Sequence, residues 1–149
     1  MKKWFMFGLT LLISFTLIAC GAEETTTTLS MEQAGVTMVV TLKAEGDRVT
    51  EQTADNEIMY DALGVSTAEE AEEFFAGFVE GFDETEGVTH NIEYQEDKVV
   101  ESLTVDYEKA DIDEVSQLAG SQYEAESGDE ISLERTIEML EEQGFEIVE

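Results

Sequence analysis

Few side chains in this 149-residue chain combine the type and the spacing that chemistry requires. There is one cysteine, Cys20, and one histidine, His90. His90 and Glu93 look like a ligand pair in print, but residues three apart on a strand point to opposite faces. His90 is therefore expected as a half-buried structural residue. One imidazole and one thiol cannot build the usual zinc sets, and no intrachain disulfide can form. Carboxylates are abundant, with 36 Asp and Glu, so calcium must be tested. An EF-hand loop needs Asp at position 1, Gly at 6 and Glu at 12. Asp83-Glu84-Thr85-Glu86-Gly87 brings its glycine one place early, and residues 106–111 contain none. Paired carboxylates could act on a glycan, but in so acidic a chain a close pair carries no specificity. No Ser-His-acid signature, phosphate-cradling glycine loop or Gly-x-Ser-x-Gly elbow occurs. A non-enzymatic protein with no metal site and no cofactor is expected.

Cys20 differs, because its position gives it a task. Lys2 and Lys3 start the chain, and residues 4–19 are apolar apart from Gly8, Thr10, Ser14 and Thr16. As a helix this segment would rise only about 24 Å, short of the ~20 residues that span a bilayer. It reads as a cleaved signal peptide, residues 1–19. Leu17-Ile18-Ala19-Cys20 then has the form of a lipobox, with an aliphatic residue three before the cysteine and a small one just before it. The small residue lets a peptidase approach the bond, and the thiol is the nucleophile that accepts a diacylglyceryl group. Two acyl chains give the stable anchorage that one chain does not, each buried CH₂ adding about 0.8 kcal/mol. Cys20 is the expected lipid attachment residue, and the expected location is the bacterial cell membrane, with the domain on the extracytoplasmic side.

The next ten residues, GAEETTTTLS, are polar and lack periodicity. With Cys20 they read as a lipidated tether over residues 20–30, the Gly21–Ser30 coil reaching about 15–20 Å root-mean-square. Residues 31–149 have the length of one domain. The whole chain carries a formal charge of −29. Loss of Lys2 and Lys3 with the signal leaves five basic residues against 36 acidic ones, a charge near −31. Such a surface repels nucleic acid and anionic head groups alike, so no nucleic-acid partner is expected.

The elements follow from periodicity. Val36, Met38, Val40 and Leu42 alternate as one face of a strand over residues 36–43. Glu45-Gly46-Asp47 turns the chain, and residues 48–54 return as the second strand of a hairpin. Residues 57–63 read as a third strand ended by Gly64. The period then changes: Ser66-Thr67-Ala68-Glu69 and Thr67 with Glu70 have capping-box form. Ala71, Phe74, Phe75, Phe78, Val79 and Phe82 follow at helical spacing. That aromatic stripe is expected in the core, with Gly77 and Gly81 along its edge admitting a close approach to the sheet. Val88, His90, Ile92 and Tyr94 alternate again, Glu96-Asp97-Lys98 turns, and Val99, Leu103, Val105 and Tyr107 form an apolar face that Glu101 interrupts. Asp111 caps a short helix with Ile112, Val115 and Leu118 inward, stopped by Gly120. Residues 121–130 read as a polar loop. A last helix starts near Ser132, presents Leu133, Ile137 and Leu140, and ends at Gly144 with Phe145 packed on Leu140. Residues 145–148 add a short edge strand. Two hairpins or meanders interleaved with helices predict an α+β fold, a two-layer structure with helices on one face of an antiparallel sheet.

With these elements in place, the lipobox LIAC, the stretch GVSTAEEAEEFF, the stretch GVTHNIEYQEDKVVESLTVDYEKADI and the closing MLEEQGFE resemble the YehR-like bacterial lipoproteins, a family of this length whose role is unassigned. The resemblance runs over nearly the whole chain. It implies a two-layer α+β domain on a lipid anchor and offers no catalytic residue; only Cys20 carries over as a functional position. The expected function is that of a lipid-anchored, non-enzymatic envelope protein. Its partners would be the membrane, through the lipid on Cys20, and a protein or small ligand bound by the domain. The alternative is an extracytoplasmic divalent-cation-binding protein that uses acidic loops.

Overall fold

The computed structural model describes residues 22–118 and 130–148. Three long strands come first: β1 (Glu24–Gln33), β2 (Val36–Glu45) and β3 (Arg48–Met59). β1 and β2 are joined through Ala34 and Gly35, with φ of 51° and 85°. Two central residues at positive φ make the tight turn whose twist matches the flanking strands. The hairpin of β4 (Val88–Tyr94) and β5 (Lys98–Asp106) follows, and β6 (Glu146–Ile147) closes the chain. The sheet order is β4-β5-β3-β2-β1-β6, with every neighbouring pair antiparallel.

Two expectations about this sheet are corrected. Residues 24–30, assigned to the tether, belong to β1, which pairs with β2 from Glu24↔Glu45 to Gln33↔Val36. The domain therefore starts before residue 31. The run of four threonines is β-branched and suits a strand as well as a linker, and Leu29 within it is fully buried. The second and third strands read from the sequence are also one strand, β3, continuous through Ala54-Asp55-Asn56. Residues of low strand propensity persist there because β2 and β5 supply ladder partners on both sides. Its last expected residues instead form one helical turn, α1 (Tyr60–Leu63), ended at Gly64 in the left-handed conformation.

The outer face of the sheet is polar. Thr53 and Thr104 share a hydroxyl hydrogen bond of 3.0 Å, Ser102 donates to Asp55, and Lys98 and Lys43 pair with Glu57 and Glu51. The inner face carries the helices, giving the two-layer α+β fold read from the pattern. α2 (Ala68–Phe75) starts at Thr67, whose hydroxyl accepts the Glu70 N–H, while Glu70 Oε2 accepts the Ser66 N–H at 2.7 Å. α2 stops at Phe75 rather than running to Phe82. No atom lies within 4 Å of where a Gly77 Cβ would sit, and Gly81 adopts φ 96° to begin the 3₁₀ turn Phe82–Glu84. The helix ends before either glycine, capped at Ala76, and neither glycine brings it closer to the sheet. Consequently Phe75 and Phe82 are buried, but Phe74 and Phe78 are 45% and 49% exposed, stacked on each other.

α3 (Ile112–Val115) is capped by the Asp111 carboxylate and buries Val115. The expected stop at Gly120 and most of the polar loop lie outside the described residues. α4 (Leu133–Glu142) starts at Ser132. Asp47, in the β2–β3 turn, accepts the Glu134 N–H on Oδ1 and the Ser132 hydroxyl on Oδ2. The turn thus ties the sheet to the helix N-terminus, where a carboxylate is favoured. α4 ends as expected: Gly144 takes φ 100°, its N–H reaches Glu141, and the Phe145 N–H reaches the Leu140 carbonyl.

The buried residues form two clusters. Leu29, Val40, Leu42, Val49, Ile131, Leu140 and Phe145 lie where α4 covers β1 and β2. Tyr60, Ala71, Phe75 and Val99 lie where α1 and α2 meet the β4–β5 side. Between them, among the described residues, no helix covers the middle of the sheet.

Candidate functional site

The gap between the two clusters is a cavity of about 400 Å³, within the ~300–1,000 Å³ typical of small-molecule sites. Its floor is the inner face of β3, where alternation turns Gln52, Ala54, Asn56 and Ile58 the same way, flanked by Glu101, Leu103 and Val105 of β5. Met31 and Met38, cross-strand partners on β1 and β2, form one wall. α4 closes that side with Thr136, Met139, Leu140 and Gln143, and Phe82 stands opposite. The small side chain of Ala54 at the centre leaves the depth.

Polar groups enter this apolar setting in one place. Asn56 faces Glu101 across the β3–β5 ladder, and its Nδ2–H donates to Glu101 Oε2 at 3.0 Å. His90, on β4, reaches diagonally to Glu101 Oε1 at 2.8 Å. The His90 and Glu101 side chains are 6% and 15% exposed, and the Phe82 ring packs on the imidazole at a centroid distance of 4.7 Å. Asn56 Oδ1 is buried and, among the described residues, has no hydrogen-bond partner. Along β3, the Gln52 carbonyl oxygen accepts the Tyr107 hydroxyl at 3.2 Å. Burial raises the Tyr94 phenol above its ordinary value, helped by the charges of Glu72 and Glu101. A carboxylate so placed is expensive unless hydrogen-bonded; here two donors hold it and fix its orientation.

His90 is thus the half-buried residue that alternation predicts, and Glu93 lies exposed on the opposite face. The partner that sequence reasoning missed is Glu101. A signal existed: with the turn at residues 95–97, Tyr94 opposes Val99 and Ile92 opposes Glu101, so His90 and Glu101 share a face one step apart. Cys20 lies outside the described residues. Among the described residues, no three His, Cys, Asp or Glu side chains converge to hold a metal ion, and no helix is long and apolar enough to cross a membrane.

Residues 25–146 match the family described as "Protein of unknown function (DUF1307)". The chain is 37% identical over 139 residues to the uncharacterized lipoprotein Lin0239 of Listeria innocua, covering 93% of this chain and 91% of that one. It is 25% identical over 125 residues to the uncharacterized lipoprotein YehR of Escherichia coli, covering 84% and 82%. The NMR structure of E. coli YehR superposes with a TM-score of 0.73 at 23% identity, over 85% of this chain and 92% of that one. That likeness extends to the fold.

Proposed function

The chain belongs to the DUF1307 family, and from that premise we propose that it is a non-enzymatic extracytoplasmic lipoprotein, anchored by a lipid on Cys20, that binds a small ligand in the cavity beneath α4. The lipoprotein character of its relatives supports the anchorage. The ligand reading is carried by one observation: a cavity of about 400 Å³ whose floor holds Asn56 and Glu101 on the neighbouring interior strands β3 and β5. A sheet needing only to fold would place apolar side chains there, since buried polar groups lower stability unless fully satisfied. The cation-binding alternative has no comparable support among the described residues.

Three measurements test the proposal. Replacing Cys20 by serine should abolish incorporation of labelled fatty acid; unchanged labelling would refute the anchor. Thermal melting against a small-molecule panel, at matched ionic strength, should give a selective shift. A ligand at 100 times its Kd adds about 2.7 kcal/mol, a rise of several degrees. Turnover of any panel member by the purified protein would overturn the non-enzymatic reading.

A further inference from the structure

Resting on the small-ligand reading, we propose that the cavity selects molecules with a short apolar body and a primary ammonium head, the head seated on Glu101 and Asn56. The argument starts from acceptor accounting. Each Glu101 oxygen accepts one hydrogen bond, from His90 or Asn56, and each retains a further lone pair. Asn56 Oδ1 is buried and, among the described residues, accepts none. The floor therefore offers two further lone pairs on Glu101 with the orphaned Asn56 oxygen beside them, three acceptors against the three N–H donors of an alkylammonium once the Asn56 amide turns toward the guest. Of the donors present, His90 Nε2 and one of the two Asn56 Nδ2–H groups are turned onto Glu101, and the carboxylate they hold repels an anion approaching the remaining amide N–H. Gln52 lies four residues along β3, about 13 Å away, and is engaged by Tyr107.

The rest of the cavity fits the apolar body. Met31, Met38 and Met139 line it together with Leu103 and Phe145. Unbranched thioether side chains adapt to a guest's outline and pack well on apolar or aromatic groups. The surrounding field points the same way. A chain of formal charge −29 concentrates cations at its surface and repels carboxylates and phosphates before they arrive.

The test uses the full chain in zwitterionic nanodiscs with ¹³C-labelled methionine methyls, titrated with hexylammonium, hexanol or hexanoate. Met31, Met38 and Met139 report on the cavity, while Met59, outside it and 37% exposed, controls for non-specific effects. Hexylammonium should shift the three cavity methyls saturably and leave Met59 in place, with hexanoate inactive. Glu101→Gln, which keeps the shape and removes the charge, should weaken binding at least tenfold. Ala54→Leu should abolish binding by filling the floor, and Met139→Phe provides the same block from α4 if the first variant misfolds. Equal or tighter binding of hexanol or hexanoate to the same methyls would overturn the ammonium class while leaving the ligand cavity intact. If no probe moves the three methyls and Ala54→Leu only raises the melting temperature, the cavity is an underfilled core, and the ligand reading falls with the inference.

Discussion

Glu101→Leu is the perturbation whose consequence can be worked furthest. It removes the acceptor of two buried donors, His90 Nε2 at 2.8 Å and Asn56 Nδ2 at 3.0 Å. Each stranded donor costs about 1–3 kcal/mol. The new leucine recovers part of that by apolar burial, about 1–2 kcal/mol in so enclosed a position. The net expectation is a destabilisation of about 0–5 kcal/mol, centred at about 2.5 kcal/mol. His90→Leu alone leaves the carboxylate held by Asn56 only, and should cost about 1–3 kcal/mol by the same rule. In the double variant the second leucine rests against Phe82, which packs on His90 in the native protein, and only the Asn56 amide is left unpaired. The double variant should therefore be more stable than Glu101→Leu alone, a coupling of at least 1 kcal/mol. The assay is urea unfolding of the lipid-free chain from Gly21 onward, read at constant m-value. Additivity within about 0.5 kcal/mol is what independent sites give. That result would refute the hydrogen-bonded pair and with it the polar floor of the cavity.

Three further outcomes follow from other parts of the fold. Phe75→Ala, at a side chain 7% exposed, should lose about 3–5 kcal/mol. Phe78→Ala, at one 49% exposed, should lose no more than about 1 kcal/mol; equal losses in urea unfolding would contradict the early end of α2. A chain beginning at Met31 lacks most of β1, including fully buried Leu29 and the partners of β6. Its circular dichroism should show no cooperative melting, whereas a native-like transition would return residues 24–30 to the tether. Asp47 is held below its ordinary value of 3.8 chiefly by the Glu134 N–H, then by the Ser132 hydroxyl. A depressed carboxylate stabilises the folded state above its unfolded pKa, and that contribution fades as pH falls through the folded value. Asp47→Ala should thus lower the melting temperature at pH 7, and the gap to the parent should shrink as pH falls below the ordinary carboxylate range; a pH-independent gap would refute the helix-capping role.

The most local features of this chain were the most legible. Thr67, Asp111 and Ser132 cap the helices that their positions announce, and Gly144 with Phe145 ends α4 by local hydrogen bonds. Alternation sufficed for β4 and β5, whose apolar and polar residues separate by face apart from Val100 and Glu101. It failed where tertiary partners override composition. β1 reads as a polar linker because only Leu29 of its ten residues is buried, and β3 reads as two strands because Asp55, Asn56 and Glu57 break the apolar pattern. α2 reads too long because the phenylalanine spacing continues past Phe75, where the helix ends, through Gly77 and on to the 3₁₀ turn that the left-handed Gly81 starts. For the site, Glu101 stood out as an interruption of an apolar face. Its meaning needed the register of β5 against both β4 and β3, which brings His90 and Asn56 to it from strands far apart in the chain.

The early start of β1 changes how the molecule stands on a membrane. Strand β1 begins at Glu24, four residues beyond Cys20, and four residues span at most about 14 Å. With a lipid on Cys20, that distance bounds how far the start of β1 can stand from the anchor. The corner where β1 begins, beside Glu45 at the far end of β2, hovers at head-group height, and its carboxylates hold it off an anionic surface. Encounters then take place within a thin layer above the bilayer. A solute released from the membrane itself, or carried by a neighbour in the same leaflet, meets the domain at a far higher local concentration than one arriving from bulk solution.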